Sequence, residues 1–341
     1  ILRHQPTRKV RKFMKIVKLF RPKTYFMKYS QMKDRYIKRM NKTEFETRSL
    51  AFEKFTNLNF TFSSSINAQT ETELRELSEK YDIIMSGSDQ VWNPEALDPT
   101  YLLQWIPAGK KKVSYGSSLS MTKIPEKYYD IYRNALSSFD SISIRDDQCR
   151  KQLSEIVSRN VSTVVDPVIL LGRTALSQKQ KYIDLGNKPY IFCYFLGNKT
   201  VHRKKAIEYA MRNGLEIKAI INCGFDFKAD KELQKYAIWD VDPNQFIYFI
   251  QNAKFIFTDS FHATVISVLL HKDFVVYEKD NSRPAQNTRI KEFLALAELD
   301  ERWEMAMSEL TNIELSEWKI ADEKIDAARQ NSFDYLMGAL K

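Results

Sequence analysis

At 341 residues with 43% apolar residues, the chain is long enough for two cored domains. Its three cysteines are odd in number and lack CxxC spacing, which argues against a disulfide framework or a zinc site and points to a reducing, cytoplasmic compartment. The net charge of +10 is local, because residues 1–48 hold 16 Lys+Arg against 3 Asp+Glu while the remainder holds 37 against 40.

That basic segment interleaves Phe13, Met14, Ile16, Val17, Leu19 and Phe20 with its lysines and arginines. The pattern predicts a basic amphipathic helix over 8–20, broken near Pro22, with a second helical pattern over 25–55. Such a segment suits an anionic membrane leaflet better than nucleic acid. A solvated helix that carries charge for solubility is the plainer alternative. No apolar stretch reaches the roughly 18 residues of a membrane span, and no secretory h-region is present.

After a polar loop at 57–65, a short charged helix is expected over 71–80. Strands are then expected at 81–86, 111–117, 141–144 and 161–165. Helices fit 125–139 and the stretch from Arg145-Asp146-Asp147 to about Val157. Asp166-Pro167 closes the fourth strand. Residues 171–188 are polar, carry Gly172 and Gly186, and are followed by Pro189, so a linker is expected there. A second series follows: strand 190–196, helix 201–213, strand 217–222 and helix 243–252. The most informative stretch comes next. Phe255-Ile256-Phe257 reads as a strand buried on both faces, Thr258-Asp259-Ser260 as a helix cap, and 261–270 as a helix. Phe274–Tyr277 is a further strand. From Gln286 the chain is mostly helical. Strands alternating with helices predict parallel sheets with covered faces.

Four constellations carry candidate chemistry. Ser86-Gly87-Ser88-Asp89-Gln90-Val91-Trp92-Asn93 follows a buried strand, where a glycine turn presents polar groups. Asp89 can take a proton from a sugar hydroxyl there, and Trp92 can stack on a sugar ring. An Asx turn with a core Trp explains the same residues. Arg145, at a strand end where a helix begins, suits a carboxylate or phosphate, or a surface pair with Asp146 or Asp147. His262 at a helix start can serve as general acid or base near neutral pH, or be a buried histidine bonded to backbone. Arg283 and Arg289, in the polar stretch after the last strand, can clamp a phosphate or lie in an exposed loop. GxGxxG, Walker A, HExxH and GxSxG patterns are absent.

Taken together, YDIIMSGSDQVWNP (81–94), KKVSYGSS (111–118), SISIRDD (141–147), VVDPVILL (164–171), YIFCYFLG (190–197) and FIFTDSFHATVISVLLHKDFVVYEK (255–279) resemble the polysaccharide pyruvyl transferase family in order and spacing. The resemblance spans about residues 75–300. It implies an α/β fold of two Rossmann-like domains facing a cleft, as in GT-B glycosyltransferases, with a basic helical N-terminal segment and a helical C-terminus. It also implies transfer of a pyruvyl group from phosphoenolpyruvate to two hydroxyls of a sugar, forming a ketal and releasing phosphate. By similarity His262 matches the family's functional histidine and Arg145 a donor-binding arginine.

Two departures matter. Relatives carry Arg-x-His where this chain has Ser260-Phe261-His262, so the missing positive charge is expected from Arg283 or Arg289. The family's opening strand and Asn-Tyr-Gly loop are not found, which implies that the sequence lacks that unit and part of the site. The expected roles are then as follows. His262 and Asp89 are catalytic. Arg145, Ser260, Phe261, Arg283 and Arg289 hold the donor, and Ser88, Gln90, Trp92 and Asn93 the acceptor. No metal or cofactor is expected beyond the phosphoenolpyruvate substrate. The expected organisation is a basic segment at 1–60, an acceptor-side α/β domain at 61–172 and a linker at 173–188. A donor-side α/β domain at 189–320 and a C-terminal helix at 321–341 complete it, that helix packing back on the first domain. The expected partners are phosphoenolpyruvate, a glycan acceptor on a polyprenyl-diphosphate carrier, and the inner face of the plasma membrane through residues 1–48. A nucleotide-sugar glycosyltransferase and a non-catalytic membrane-surface scaffold are the alternatives.

Overall fold

A computed structural model describes residues 42–62, 70–221, 229–279 and 284–341. The helix expected over 8–20, most of the basic segment, and Arg283 lie outside these residues. Among the described residues, no helix is long and apolar enough to cross a membrane.

Packing groups the chain into two compact units. One comprises the described residues up to Asp82 with Trp105–Ala108 and Trp239–Pro243. It holds α1 (Lys42–Asn59) and α2 (Glu71–Ser78). A capping box opens α2: Thr70 Oγ1 accepts the Glu73 amide, and the Glu73 carboxylate accepts the Thr70 amide. Arg48 donates from Nε to the Trp239 carbonyl at 2.8 Å and lies over the Trp239 ring.

The other unit carries two parallel sheets. The first is built from β1 (Ile83–Ser86), β2 (Lys111–Ser114), β3 (Ser143–Ile144) and β4 (Ser162–Thr163). β1 pairs with β2 and β3 with β4, both parallel, and isolated parallel bridges Val113–Ser141 and Ser117–Ile144 join the pairs. Two serines stitch the join: Ser143 Oγ donates to the Ser114 carbonyl, and Ser114 Oγ to the Ser143 carbonyl. Helices α3 (Tyr129–Leu136), α4 (Asp147–Val157) and α5 (Pro167–Lys179) accompany these strands. The stretch expected as a linker at 173–188 is thus helical as far as Lys179. Asp166 caps α5 by accepting the Val168 amide at 2.9 Å, and Pro167 takes the first helical position. α5 breaks at Gly172 (φ 77°), where the Arg329 guanidinium occupies the place of a Cβ.

The second sheet comprises β5 (Tyr190–Phe195), β6 (Glu216–Ile221), β7 (Phe255–Thr258) and β8 (Phe274–Val276), in the order β6-β5-β7-β8, all parallel. Bridges from Ala219 to Ala237 and from Val276 to Trp303 extend it at both edges. Counting those segments, the order is that of a Rossmann fold, 3-2-1-4-5-6, with its reversal between β5 and β7. β7 is buried along its whole length, as its unbroken apolar run requires. Helices α6 (Thr200–Arg212), α7 (Pro243–Asn252), α8 (Phe261–Leu269) and α9 (Pro284–Leu296) belong to this half. The last helix, α10 (Leu315–Leu340), reaches the first sheet. Ser332 Oγ accepts the Val165 amide at 3.0 Å, and Tyr335 donates to the Ser114 carbonyl at 2.8 Å.

Candidate functional site

The site begins with α8. Eight of its nine residues are buried, and His262 is the exception. A helix buried nearly all round is a core helix, and His262 is the one side chain α8 presents outward. Ser260 starts α8 by accepting the Ala263 amide on its hydroxyl. His262, in the first turn, points its imidazole at β4's end, with Nε2 3.7 Å from Asp166 Oδ2. The ring remains 46% exposed, so a ligand can reach it.

Asp166 is the hub. Its carboxylate is almost wholly buried and is ion-paired with Arg145, which enters from the end of β3. Burial alone would raise the Asp166 carboxyl. His262, Arg145 and the Val168 amide outweigh it and hold the group well below the usual carboxylate range. Arg145 is also buried, with 6% of its side chain exposed. Its other contact is the exposed Asp89, at 3.5 Å. Arg145 Nε is buried without a hydrogen-bond partner among the described residues.

A second guanidinium converges on the same place. Arg289 of α9 lies 5.1 Å from the Phe261 ring centroid, and Arg145 lies 5.5 Å from it. Arg289 makes no ion pair among the described residues, and its Nε and Nη1 are buried and unpartnered. Burial, then the charge of Arg145, lowers its pKa from the ordinary value, against the pull of Asp89, Asp146 and Asp166. Buried N–H donors left unpaired are rare and costly in a finished protein. Both arginines line a cavity of about 460 Å³. Its apolar wall includes Val164, Ile169, Phe261 and Phe293, and its polar wall Asp147, Asp166, Glu292 and Ser332. A pocket of this size with few convergent polar groups is the usual form of a small-ligand site.

The structure therefore brings together Asp89, Arg145, Phe261, His262 and Arg289. Others take structural places. Ser260 is buried and spent on its cap. Trp92 is fully buried, edge-on to Phe139, with its indole N–H on the Tyr101 carbonyl. A ring with no exposed face cannot stack on a sugar, so the aromatic reading of Trp92 is corrected to core packing. Ser88 donates to the Gly116 carbonyl, and Asn93 Oδ1 accepts the Glu95 amide as an Asx turn. Gln90 is half-buried, and its carbonyl accepts the Asn93 amide. Ser88, Gln90 and Asn93 thus hold the loop that carries Asp89 in its left-handed conformation, φ 64°.

Sequence reasoning missed two members. In sequence Asp166 is only part of the Asp-Pro pair that closes the fourth strand, and its cap on α5 appears in the structure. Glu292 has no motif, because its surroundings are made by α4 and the pocket wall rather than by neighbours in sequence. The crevice at the strand reversal also differs from expectation for this topology. There Asp259 accepts the Leu196 and Gly197 amides on its two oxygens, at 2.6 and 2.9 Å. A Cβ at Gly197 would lie 2.2 Å from the Lys279 carbonyl. The place where Rossmann halves bind phosphate is filled by the protein's own carboxylate.

Comparison with known proteins places the chain in a family. No curated protein matches the chain. Among solved structures, one named as a UDP-N-acetylglucosamine 2-epimerase from Listeria monocytogenes aligns over 79% of this chain and 82% of its own. The identity is 15% and the TM-score 0.43, and a likeness at that level carries no weight in the assignment. A family model described as polysaccharide pyruvyl transferase matches residues 6–281, which include β1 to β8, Asp89, Arg145, Asp166 and His262, and on that extent of match the chain belongs to the polysaccharide pyruvyl transferase family.

Proposed function

We propose that the chain transfers a pyruvyl group from phosphoenolpyruvate to two hydroxyls of a sugar in a surface-polysaccharide precursor, forming a ketal and releasing phosphate. The observation that carries this reading is the pair of guanidinium groups around Phe261. Arg145 and Arg289 together leave three buried N–H bearing nitrogens unpaired beside a cavity, and His262 stands next to them across Asp166. A small polyanion fits such a site, because its carboxylate and phosphate oxygens satisfy those donors. The missing arginine at position 260 is then replaced in space by Arg289. His262 is the acid that protonates the enol carbon, and the oxocarbenium-like centre that follows accepts a hydroxyl. The acceptor is read as a carrier-linked glycan at the inner membrane face, approached through the basic segment.

The filled crevice at Asp259 speaks against a nucleotide-sugar donor. A nucleotide diphosphate would have to displace a carboxylate already bonded to both amides.

The test is phosphate release from phosphoenolpyruvate that depends on an added glycan acceptor. Phosphoenolpyruvate, and not UDP-sugars, is expected to raise the melting temperature. In the same assay Arg289→Ala is expected to weaken phosphoenolpyruvate binding by about 10- to 100-fold, as loss of a charge-assisted contact implies. Stabilisation by UDP-sugars alone, with no release of phosphate, would transfer the reading to a glycosyltransferase.

A further inference from the structure

We propose that Glu292 is the catalytic base that takes the proton from the attacking sugar hydroxyl. This rests on the reading of the site as a pyruvyl transferase and assigns it a residue that sequence patterns do not reveal. Two features of position carry it. Glu292 lines the same cavity as Arg145, Arg289 and Phe261, one helical turn from Arg289 on α9. Asp89, the carboxylate favoured from sequence, has 73% of its side chain exposed. Water solvates the charged form of an exposed carboxylate and keeps it a weak base, whereas burial in a cavity wall raises a carboxylate's affinity for a proton.

The surroundings of Glu292 set its chemistry. Burial, then the charges of Asp146 and Asp147 at the start of α4, pushes its carboxyl up to about 7, with Gln148 opposing through a hydrogen bond. Asp147 is itself held low by the Thr163 hydroxyl at 2.5 Å and by Arg150, so it stays charged and sustains the repulsion. From α9 itself the nearby cation is Arg289, and from β3 Arg145. From α10 the cavity receives the neutral Asn331 and Ser332. A base that exchanges its proton near neutrality both accepts from a hydroxyl and gives to a leaving group.

The steps balance with Glu292 and His262 each taking one hydroxyl proton. In the first, the enol double bond takes a proton at its methylene carbon from His262. The first hydroxyl oxygen bonds to the neighbouring carbon, and that hydroxyl's proton passes to Glu292. In the second, the carbon–oxygen bond to phosphate breaks and its electron pair leaves with the phosphate. The second hydroxyl oxygen bonds in its place. Glu292 passes its proton to the departing phosphate and the second hydroxyl's proton returns to His262, so both groups are restored. No oxidant or further reactant is needed.

The experiment measures glycan-dependent phosphate release for the wild type, Glu292→Gln, Glu292→Asp and Asp89→Asn across pH 5.5 to 8.5. Glu292→Gln is expected to lower kcat by about 100-fold or more. The rise of wild-type kcat with pH through about 7 should vanish in it. Glu292→Asp should recover part of the rate, and Asp89→Asn should keep the wild-type pH profile. The phosphoenolpyruvate-induced rise in melting temperature should persist in Glu292→Gln, which shows a folded variant with its donor site intact. A wild-type rate and pH profile in Glu292→Gln overturns the assignment while leaving the family reaction standing. Absence of glycan-dependent phosphate release in the wild type overturns both.

Discussion

Asp166→Ala is expected to unfold about 3–5 kcal/mol more easily than the wild type, the cost of removing one partner from a buried ion pair. The magnitude follows from what remains. Arg145 keeps its charge with only 6% of its side chain exposed, and Asp89, itself 73% exposed, is a screened and distant replacement. The first turn of α5 also loses the acceptor of its Val168 amide. The pH dependence has a definite sign. Burial would raise the Asp166 carboxyl, but His262 and Arg145 outweigh it, so the folded value lies below the ordinary 3.8. Stability from a lowered carboxyl is complete above its unfolded value and is lost as the pH falls towards the folded one. Urea unfolding at pH 7 should therefore show the full difference between wild type and variant, and the gap should narrow only below about pH 4. A gap under about 1 kcal/mol at pH 7 would mean that the pair is not the keystone of the site.

Much of the scaffold was readable because its signals are local. The βαβ stretch from Phe255 to Val276 has strand and helix limits within about a residue of expectation, since continuous apolar runs and a Ser cap leave few alternatives. Pairing, by contrast, is non-local. Nothing in the sequence states that β5 lies between β6 and β7, or that Trp303 joins the sheet beside β8. Position in space also decided the site. His262 could have been a core histidine, and only the burial of every other residue of α8 identifies its outward face. Trp92 and Ser260 have the right chemistry for ligands but are consumed by packing and capping. Asp259 looked like one member of a capping cluster. It instead joins β7 to the loop after β5, and both of its oxygens are committed. Arg289 was one of two candidate arginines, and its convergence with Arg145 on Phe261 needs the path of α9, which no motif encodes.

His262→Ala is expected to separate catalysis from stability where Asp166→Ala cannot. The imidazole is half exposed and meets Asp166 at 3.7 Å, so its loss should cost well under the about 3–5 kcal/mol expected for Asp166→Ala, while removing one of the groups that hold the Asp166 carboxyl low. Loss of a general acid costs about 10²–10⁴-fold in rate, and the fall should appear in kcat. The phosphoenolpyruvate-dependent rise in melting temperature should survive, because in the proposed site the donor's charge is met by Arg145 and Arg289. The two carboxylate-linked residues can then be tested as a unit. If Asp166 serves catalysis by orienting His262, Asp166→Asn should slow the wild type but add little in the His262→Ala background, a coupling that a double-mutant cycle reads directly. Full additivity of the two losses would assign Asp166 to the architecture of the arginine alone. Activity of His262→Ala within about threefold of wild type would remove the histidine from the reaction, leaving the proton at the enol carbon to another donor.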